Sequence, residues 1–300
     1  MLTRRNTITA GLLILLAALT SWAHAQGVID MKGKTAMVTG STSGLGEVVA
    51  RRLGAMGATV IIHGLDEAKG KEIAEEIARA GPGRAVYYPG DFGSFAAVRA
   101  LAKRVQADHK RLDLLINNAG ILGASNSARR ESSDGNELVF QVNYLAHFLL
   151  TQELLPLLKA GAPARIVNVA SIGQSPINFD DVMMKRNYQS MTAYSQSKLA
   201  EIMWTISLSE MLDAKQVTVN SLHPSTMMDT PMVAGAGMRP MSSVQDGANA
   251  VMQLAVGSAL TGKTGLYYNE MNEGRANAQA YDAAARKRLW DLSEELVKAR

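Results

Sequence analysis

Three hundred residues, 47% of them hydrophobic, are enough for one large domain with a full core. The net charge is only +4, and Arg4 and Arg5 supply two of the 31 basic residues, so the remainder is near balance and gives no electrostatic case for a nucleic-acid partner. Cysteine is absent, which excludes a disulfide framework and thiolate chemistry, and no metal site is expected.

Residues 1–25 read as a secretory signal. MLTRRNTITA is basic and polar, GLLILLAALTSW is apolar, and Ala23-His24-Ala25 is a small-x-small site before Gln26. Thr3-Arg4-Arg5 also resembles the start of a twin-arginine signal, a route that exports proteins already folded. Paired arginines occur in ordinary Sec signals as well, so both routes stay open. The expected location is the periplasm after cleavage. The alternative is an uncleaved membrane anchor, although the apolar run is short for a span of about 20 residues.

From Met31 strands and helices alternate. KTAMVTG (34–40) is a buried strand ending in a glycine turn, and GLGEVVARRLGAMG (44–57) an amphipathic helix. ATVIIHG (58–64) is again a strand, followed by a charged helix over 66–81, the strand RAVYYPGD (84–91) and a helix near 94–108. DLLINNAG (113–120) precedes a long helix over about 134–158, and ARIVNVAS (164–171) precedes a helix that carries Tyr194. The strand QVTVNSLHP (216–224), a helix near 242–257, the strand GLYY (265–268) and a last helix near 281–298 complete the chain. Such alternation predicts an α/β fold: one doubly wound parallel sheet of about seven strands, Rossmann-type, with helices on both faces, over residues 26–300. Ligands in such sheets bind beyond the carboxyl ends of the strands, and Gly40, Asp91, Asn118, Ser171 and Pro224 all fall at that edge.

Two patterns carry chemistry. Thr39-Gly40-Ser41-Thr42-Ser43-Gly44-Leu45-Gly46 turns the first strand into the first helix, where glycines let the backbone approach a pyrophosphate and a helix N-terminus offers free N–H groups. In TAYSQSKLA (192–200), Tyr194 and Lys198 stand four residues apart in a run without Gly or Pro, so they share one helix face. A free tyrosine holds its proton to a pH of about 10. A fixed ammonium stabilises the phenolate and brings that value towards neutrality.

TGSTSGLG, Asp91, NNAG (117–120), Asn143, Ser171 and YSQSK (194–198) follow the order and spacing of the short-chain dehydrogenase/reductase family, which the chain resembles from about Lys32 onward. FQVNYLAHFLLTQELLPLL, RIVNVAS, the INFDD segment (177–181), VTVNSLHP and LWDLSEELV are similar to its retinol-dehydrogenase-like branch. The resemblance implies an NAD(P)-dependent enzyme that interconverts an alcohol and an aldehyde or ketone, small or lipophilic. Tyr194 would be the acid/base, Lys198 would lower its pKa and bind the nicotinamide ribose, Ser171 would stabilise the reacting oxygen, and Asn143 would anchor a water chain to Lys198. Gly40, Ser41, Ser43, Gly44, Leu45, Gly46, Asp91, Phe92 and Asn118, together with Tyr194 and Lys198, would bind the cofactor. Family analogy also implies a homo-oligomer.

The chain departs from the family pattern in two places. Past the second strand, Gly64 stands at the position where NAD-binding members carry Asp, and Leu65 where NADP-binding members carry Arg. Gly64 removes a carboxylate that would repel a 2′-phosphate, which tips the expectation to NADP, with NAD the alternative. Pro224-Ser225 replaces the usual Pro-Gly, which implies a different loop conformation over the nicotinamide. The stretch near 225–245 is the expected substrate lid. Its Met227, Met228, Met232, Met238 and Met241 suit a lipid-like substrate and core filling equally. Two rival functions remain: a dinucleotide-binding sensor or scaffold without turnover, whose signature would be loss of Ser171, Tyr194 or Lys198, and a nucleotide-sugar epimerase or dehydratase, which usually needs a longer C-terminal domain.

Overall fold

Short β-branched runs bounded by turn residues alternate with amphipathic helices in the computed structural model, which describes residues 27–123 and 127–298. Strands β1 (Thr35–Val38), β2 (Thr59–Gly64), β3 (Arg84–Pro89), β4 (Leu114–Asn117), β5 (Ala164–Val169), β6 (Val217–His223) and β7 (Tyr267–Asn269) pair in parallel. A two-residue strand, β8 (Asn272–Glu273), adds an antiparallel edge. The order β3-β2-β1-β4-β5-β6-β7-β8 winds outward from β1 in both directions and puts the switch point between β1 and β4. There Val38 pairs with Ile62 on one side and Ile116 on the other. The central strands β5 and β6 are buried along their whole length, as expected for a sheet covered on both faces.

The helices are α1 (Gly44–Ala55), α2 (Glu67–Ala80), α3 (Phe95–Asp108), α4, α5 (Ser190–Met211), the short α6 (Pro231–Gly235), α7 (Val244–Val256) and α8 (Ala283–Lys298). Local sequence sets their starts. Asp66 accepts from the Lys69 N–H and Ser94 from that of Ala97, while Ser243 and Asp246 form a reciprocal capping box. α4 differs from the single helix that periodicity predicts. It begins at Leu138–Phe140, where the Glu137 carboxylate caps two N–H groups, widens into a π-helical turn at Gln141–Leu145, and continues as Ala146–Ala160. Asn143 sits inside the widened turn, a feature that often marks a functional position.

One core, between the sheet and α3, α4, α5 and α8, is built on Phe95, Tyr144, Phe148 and Trp204. The other, beneath α1, α2 and α7, is built on Leu53, Ile62, Ile73 and Val251. α8 closes the first core: the Trp290 ring meets Phe148 edge-on at 5.1 Å, and Ser293 Oγ lies 2.7 Å from Tyr144 Oη. The chain enters the domain away from the carboxyl edge of the sheet, where the Ile29 N–H donates to Val256 O at 2.7 Å. No helix among the described residues is long and apolar enough to cross a membrane. The expected signal at 1–25 lies outside the described residues.

Phe148 bridges Tyr144, Trp204 and Trp290, so Phe148→Ala should cost about 3–5 kcal/mol. Urea unfolding followed by tryptophan fluorescence measures it; a loss below about 1 kcal/mol would mean that α8 contributes little to this core.

Candidate active site

The glycine turn after β1 is shaped for close approach. Gly40 has φ of +63°, and a Cβ there would stand 2.7 Å from Ala119 Cα. A Cβ on Gly46 would stand 2.4 Å from Gly40 O, so α1 packs against the turn with no space for a side chain. Ser43 precedes α1 without capping it by its side chain, which leaves the first N–H groups of the helix available to an anion. Asn118 fastens the turn to β4: its Nδ2 donates to Thr39 O at 2.8 Å and to Gly40 O at 3.2 Å. Two of the expected cofactor residues brace this loop instead of facing its mouth. Ser41 Oγ donates to Val38 O at 2.7 Å and accepts from the His63 N–H at 3.1 Å, and Leu45 is buried in the core.

Sequence reasoning passed over His63. The Gly40 N–H donates to its Nδ1 at 3.2 Å, and its Nε2 lies 2.9 Å from Gly90 O, so the ring is neutral with its proton on Nε2. Burial pushes its pKa down to about 4, with the bond to Gly90 O opposing. Phe92 stacks on this ring at 4.4 Å and is buried, so it supports the cradle from behind. Asp91 is exposed at the end of β3, with Oδ1 accepting from the Gly93 N–H at 2.8 Å.

The four expected catalytic residues converge on the first turns of α5. Lys198 is only 4% exposed; its Nζ donates to Val169 O at 2.8 Å and lies 5.8 Å from the Tyr194 ring centre. The chain leaving β5 runs along α5, with the Ser175 N–H donating to Ser195 O at 3.3 Å and that of Asn178 to Gln196 Oε1 at 2.9 Å. This path carries Ser171 to the start of α5, where a Cβ added at Gly173 would stand 3.5 Å from Ser171 Oγ and 4.0 Å from Ser195 Oγ. Ser171 Oγ accepts from the Gly173 N–H at 3.0 Å, which leaves its hydroxyl proton to donate, and its carbonyl accepts from Gln174 Nε2 at 2.8 Å and Tyr267 Oη at 3.2 Å. Asn143 joins the β4 loop to α5. Its Oδ1 accepts from the Ile121 N–H at 2.8 Å, and its Nδ2 donates to Ile121 O at 3.1 Å and Ser197 Oγ at 3.0 Å. Its side chain thus reaches the helix between Tyr194 and Lys198, with no direct bond to the lysine.

Glu201, which sequence reasoning missed, lies 2.8 Å from Lys198 Nζ through Oε2 and is fully buried. The contact is close but poorly aligned, so neither carboxylate oxygen receives a well-directed hydrogen bond. Burial acts to lower the Lys198 pKa, but the charges of Glu201 and Tyr194 outweigh it, and the ammonium is retained. Burial pushes the Glu201 carboxyl up to about 7, with Lys198 opposing. The signal for Glu201 was in the sequence: a carboxylate three residues beyond a lysine on the same helix face.

The segment after β6 lies over both halves of the site. Thr230 Cγ2 lies against Gly44 and the Met232 methyl against Gly120, where added Cβ atoms would meet them at 3.4 and 3.6 Å. Met228 turns inward against Gly247, whereas Met227 and Met241 are exposed, so these three divide between core filling and the surface. Ile172 and Met191 are exposed apolar residues beside the catalytic ones.

Comparison with known proteins agrees with this geometry. The short chain dehydrogenase family pattern matches residues 34–239. Retinol dehydrogenase 14 of Mus musculus is 36% identical, with 89% of this chain and 86% of that protein aligned. Polyprenol dehydrogenase of Mus musculus is 35% identical over 86% of this chain and 82% of its own length. Among solved structures, an uncharacterized protein from Mycobacterium paratuberculosis superposes with a TM-score of 0.74 at 29% identity, covering 91% of this chain and 96% of that one. The Pseudomonas aeruginosa RhlG/NADP active-site complex superposes with a TM-score of 0.66 at 27% identity, covering 80% and 95%. The chain belongs to the short-chain dehydrogenase family and is an oxidoreductase of its retinol-dehydrogenase-like branch.

Proposed function

We propose that the protein interconverts a lipophilic alcohol and its aldehyde or ketone with NADP or NAD, Tyr194 serving as the acid/base. The observation that carries this reading is a buried lysine ammonium set beside a half-buried tyrosine, next to a glycine turn that leaves a helix N-terminus open. That turn and Asn118 would hold the dinucleotide, with Asp91 at its far end, and the bound nicotinamide would supply or accept the hydride. Everything else falls to side chains of this chain. In the oxidising direction Tyr194 takes the hydroxyl proton of the alcohol; in the reducing direction it returns one. Ser171 donates its free hydroxyl proton to the same oxygen as charge develops there. Lys198 stabilises the phenolate and orients the ribose. Asn143 holds the β4 loop against α5 and so keeps Tyr194 in register.

Ile172, Met191, Met227 and Met241 are exposed apolar side chains on the segments that follow β5, open α5 and follow β6, which favours a lipophilic substrate. The relatives named for retinol and polyprenol, both long apolar alcohols, point the same way. At the adenosine end Gly64 abuts the Thr42 side chain, Leu65 is 76% exposed, and Asp66 is committed to capping Lys69. Gly64 leaves the end of β2 without the carboxylate that would repel a 2′-phosphate, which keeps NADP the first choice and NAD the alternative.

Tyr194→Phe should lower turnover of retinol by at least about 100-fold while cofactor binding survives, and Lys198→Ala should lose both. Rates with retinol and retinal, and cofactor titration by fluorescence, test this; near-parental turnover by Tyr194→Phe would sink the mechanism. Leu65→Arg should raise the NADP-to-NAD affinity ratio about tenfold by giving the 2′-phosphate a bidentate partner. An unchanged ratio would place Leu65 away from the ribose. We also propose export with cleavage before Gln26. Intact mass from fractionated cells checks it: a periplasmic chain starting at Gln26 is expected, and a membrane-bound chain retaining Met1 would overturn it.

A further inference from the structure

We propose that Glu201 is the counter-charge that sets the ionisation of Tyr194 through Lys198, so that the proton on Tyr194 and the proton on Glu201 are coupled. This rests on the reading of Tyr194 as the acid/base and assigns its regulator. Positions 194, 198 and 201 follow one another along one face of α5, with the lysine between the phenol and the carboxylate. Lys198 Nζ is 2.8 Å from Glu201 Oε2, and no other cation contacts the carboxylate among the described residues.

The remaining titratable neighbour is His147 on α4, whose Nδ1 lies 3.8 Å from Glu201 Oε1. That nitrogen is 2.8 Å from Asn143 O, which can only accept, so Nδ1 carries the proton. Nε2 is then bare and accepts from Thr39 Oγ1 at 2.9 Å. Burial pushes the ring pKa down to about 3, with the bond to Asn143 O opposing and the Lys198 charge adding to the fall, so His147 stays neutral. β5 contributes only the Val169 carbonyl. On the Tyr194 side the packed ionisable neighbour is Tyr188, whose Oη donates to the Glu137 carboxylate at 3.3 Å, so among the described residues Lys198 is the cation that both acids share.

The consequence is electrostatic. With Glu201 ionised, the ammonium is already neutralised and stabilises a Tyr194 phenolate weakly. With Glu201 protonated, the ammonium acts on Tyr194 alone and stabilises its phenolate more strongly. Loss of a proton from Tyr194 to solvent or substrate therefore favours uptake of one by Glu201, and the buried site keeps its net charge nearly constant. A carboxylate that merely held Lys198 in position would have no such effect on the phenol.

The test needs no substrate. Tyrosinate absorbance of the full chain is measured against pH and the curve of Tyr194→Phe subtracted, which isolates Tyr194; the subtraction is repeated in Glu201→Gln and Glu201→Asp backgrounds. Glu201→Gln should move the Tyr194 midpoint about one pH unit lower, and Glu201→Asp, which keeps the charge, should stay closer to the parent. An unchanged or raised midpoint in Glu201→Gln, or an equal shift in both variants, overturns the proposal. If Glu201→Gln does not fold, the parent curve decides: coupling predicts a transition broader than a one-proton curve, and a single-site curve overturns it. Retained turnover in Tyr194→Phe would instead defeat the acid/base reading and leave this titration standing.

Discussion

The constraint on which this site depends is that the Lys198 ammonium stays charged while almost wholly removed from water. An isolated buried charge costs several kcal/mol, so partners must be built around it. β5 ends at Val169 with its carbonyl turned to Nζ, and α5 places Glu201 on the other side. The helix that carries Lys198 also carries Tyr194, so the same burial that demands a carboxylate fixes the phenol. The lysine's position thus ties β5, α4 and α5 together at the carboxyl edge of the sheet.

A buried polar seam extends this tie to the cofactor cradle. Thr39 Oγ1 accepts from the Asn118 and Ala119 N–H groups at 2.8 and 2.9 Å, and its own proton goes to His147. A second route runs from Asn117 to Asn168 at 2.8 Å, from Asn168 to Thr205 at 2.8 Å, and from Thr205 to the Glu201 carbonyl at 2.8 Å. Both routes reach Glu201, one beside its carboxylate and one at its backbone. Loss of a member would leave a buried donor or acceptor without its partner, which costs more than the bond itself contributed. Cradle and catalytic helix therefore hold a common geometry.

The sheet was legible because its evidence is local. Apolar runs such as ATVIIHG and ARIVNVAS end in turn residues, and every parallel strand of the expected set is present, with edges moved by at most three residues. The Tyr194–Lys198 pair and the glycine turn were legible because helix spacing and tight turns write themselves within eight residues of sequence. What escaped depends on partners far along the chain. His147 is recognisable only through Thr39, His63 only through Gly40 and Gly90, and the π-turn at Gln141–Leu145 has no periodic signature. The brief β8 is too short for a pattern. The stretch alone places Ser41 and Phe92 near the ligand, while only the fold shows that the Ser41 hydroxyl bonds within its loop and that Phe92 stacks on His63. Glu201 was the readable residue that went unread, three positions beyond a lysine already singled out.

The two ends of the site contrast with its centre. Asp91 and Leu65, where the adenosine would lie, are exposed, and so are Ile172, Met227 and Met241. An exposed side chain can be exchanged without orphaning a buried polar group, at a cost usually within half a kcal/mol. Lys198, Glu201, Thr39 and His147 cannot, because each satisfies another buried group. Selectivity for cofactor phosphate and for substrate shape is therefore free to drift while the proton chemistry is held. Leu65, which stands where NADP-binding members carry Arg, is one of these unconstrained positions, which explains how it can coexist with Ser171, Tyr194 and Lys198.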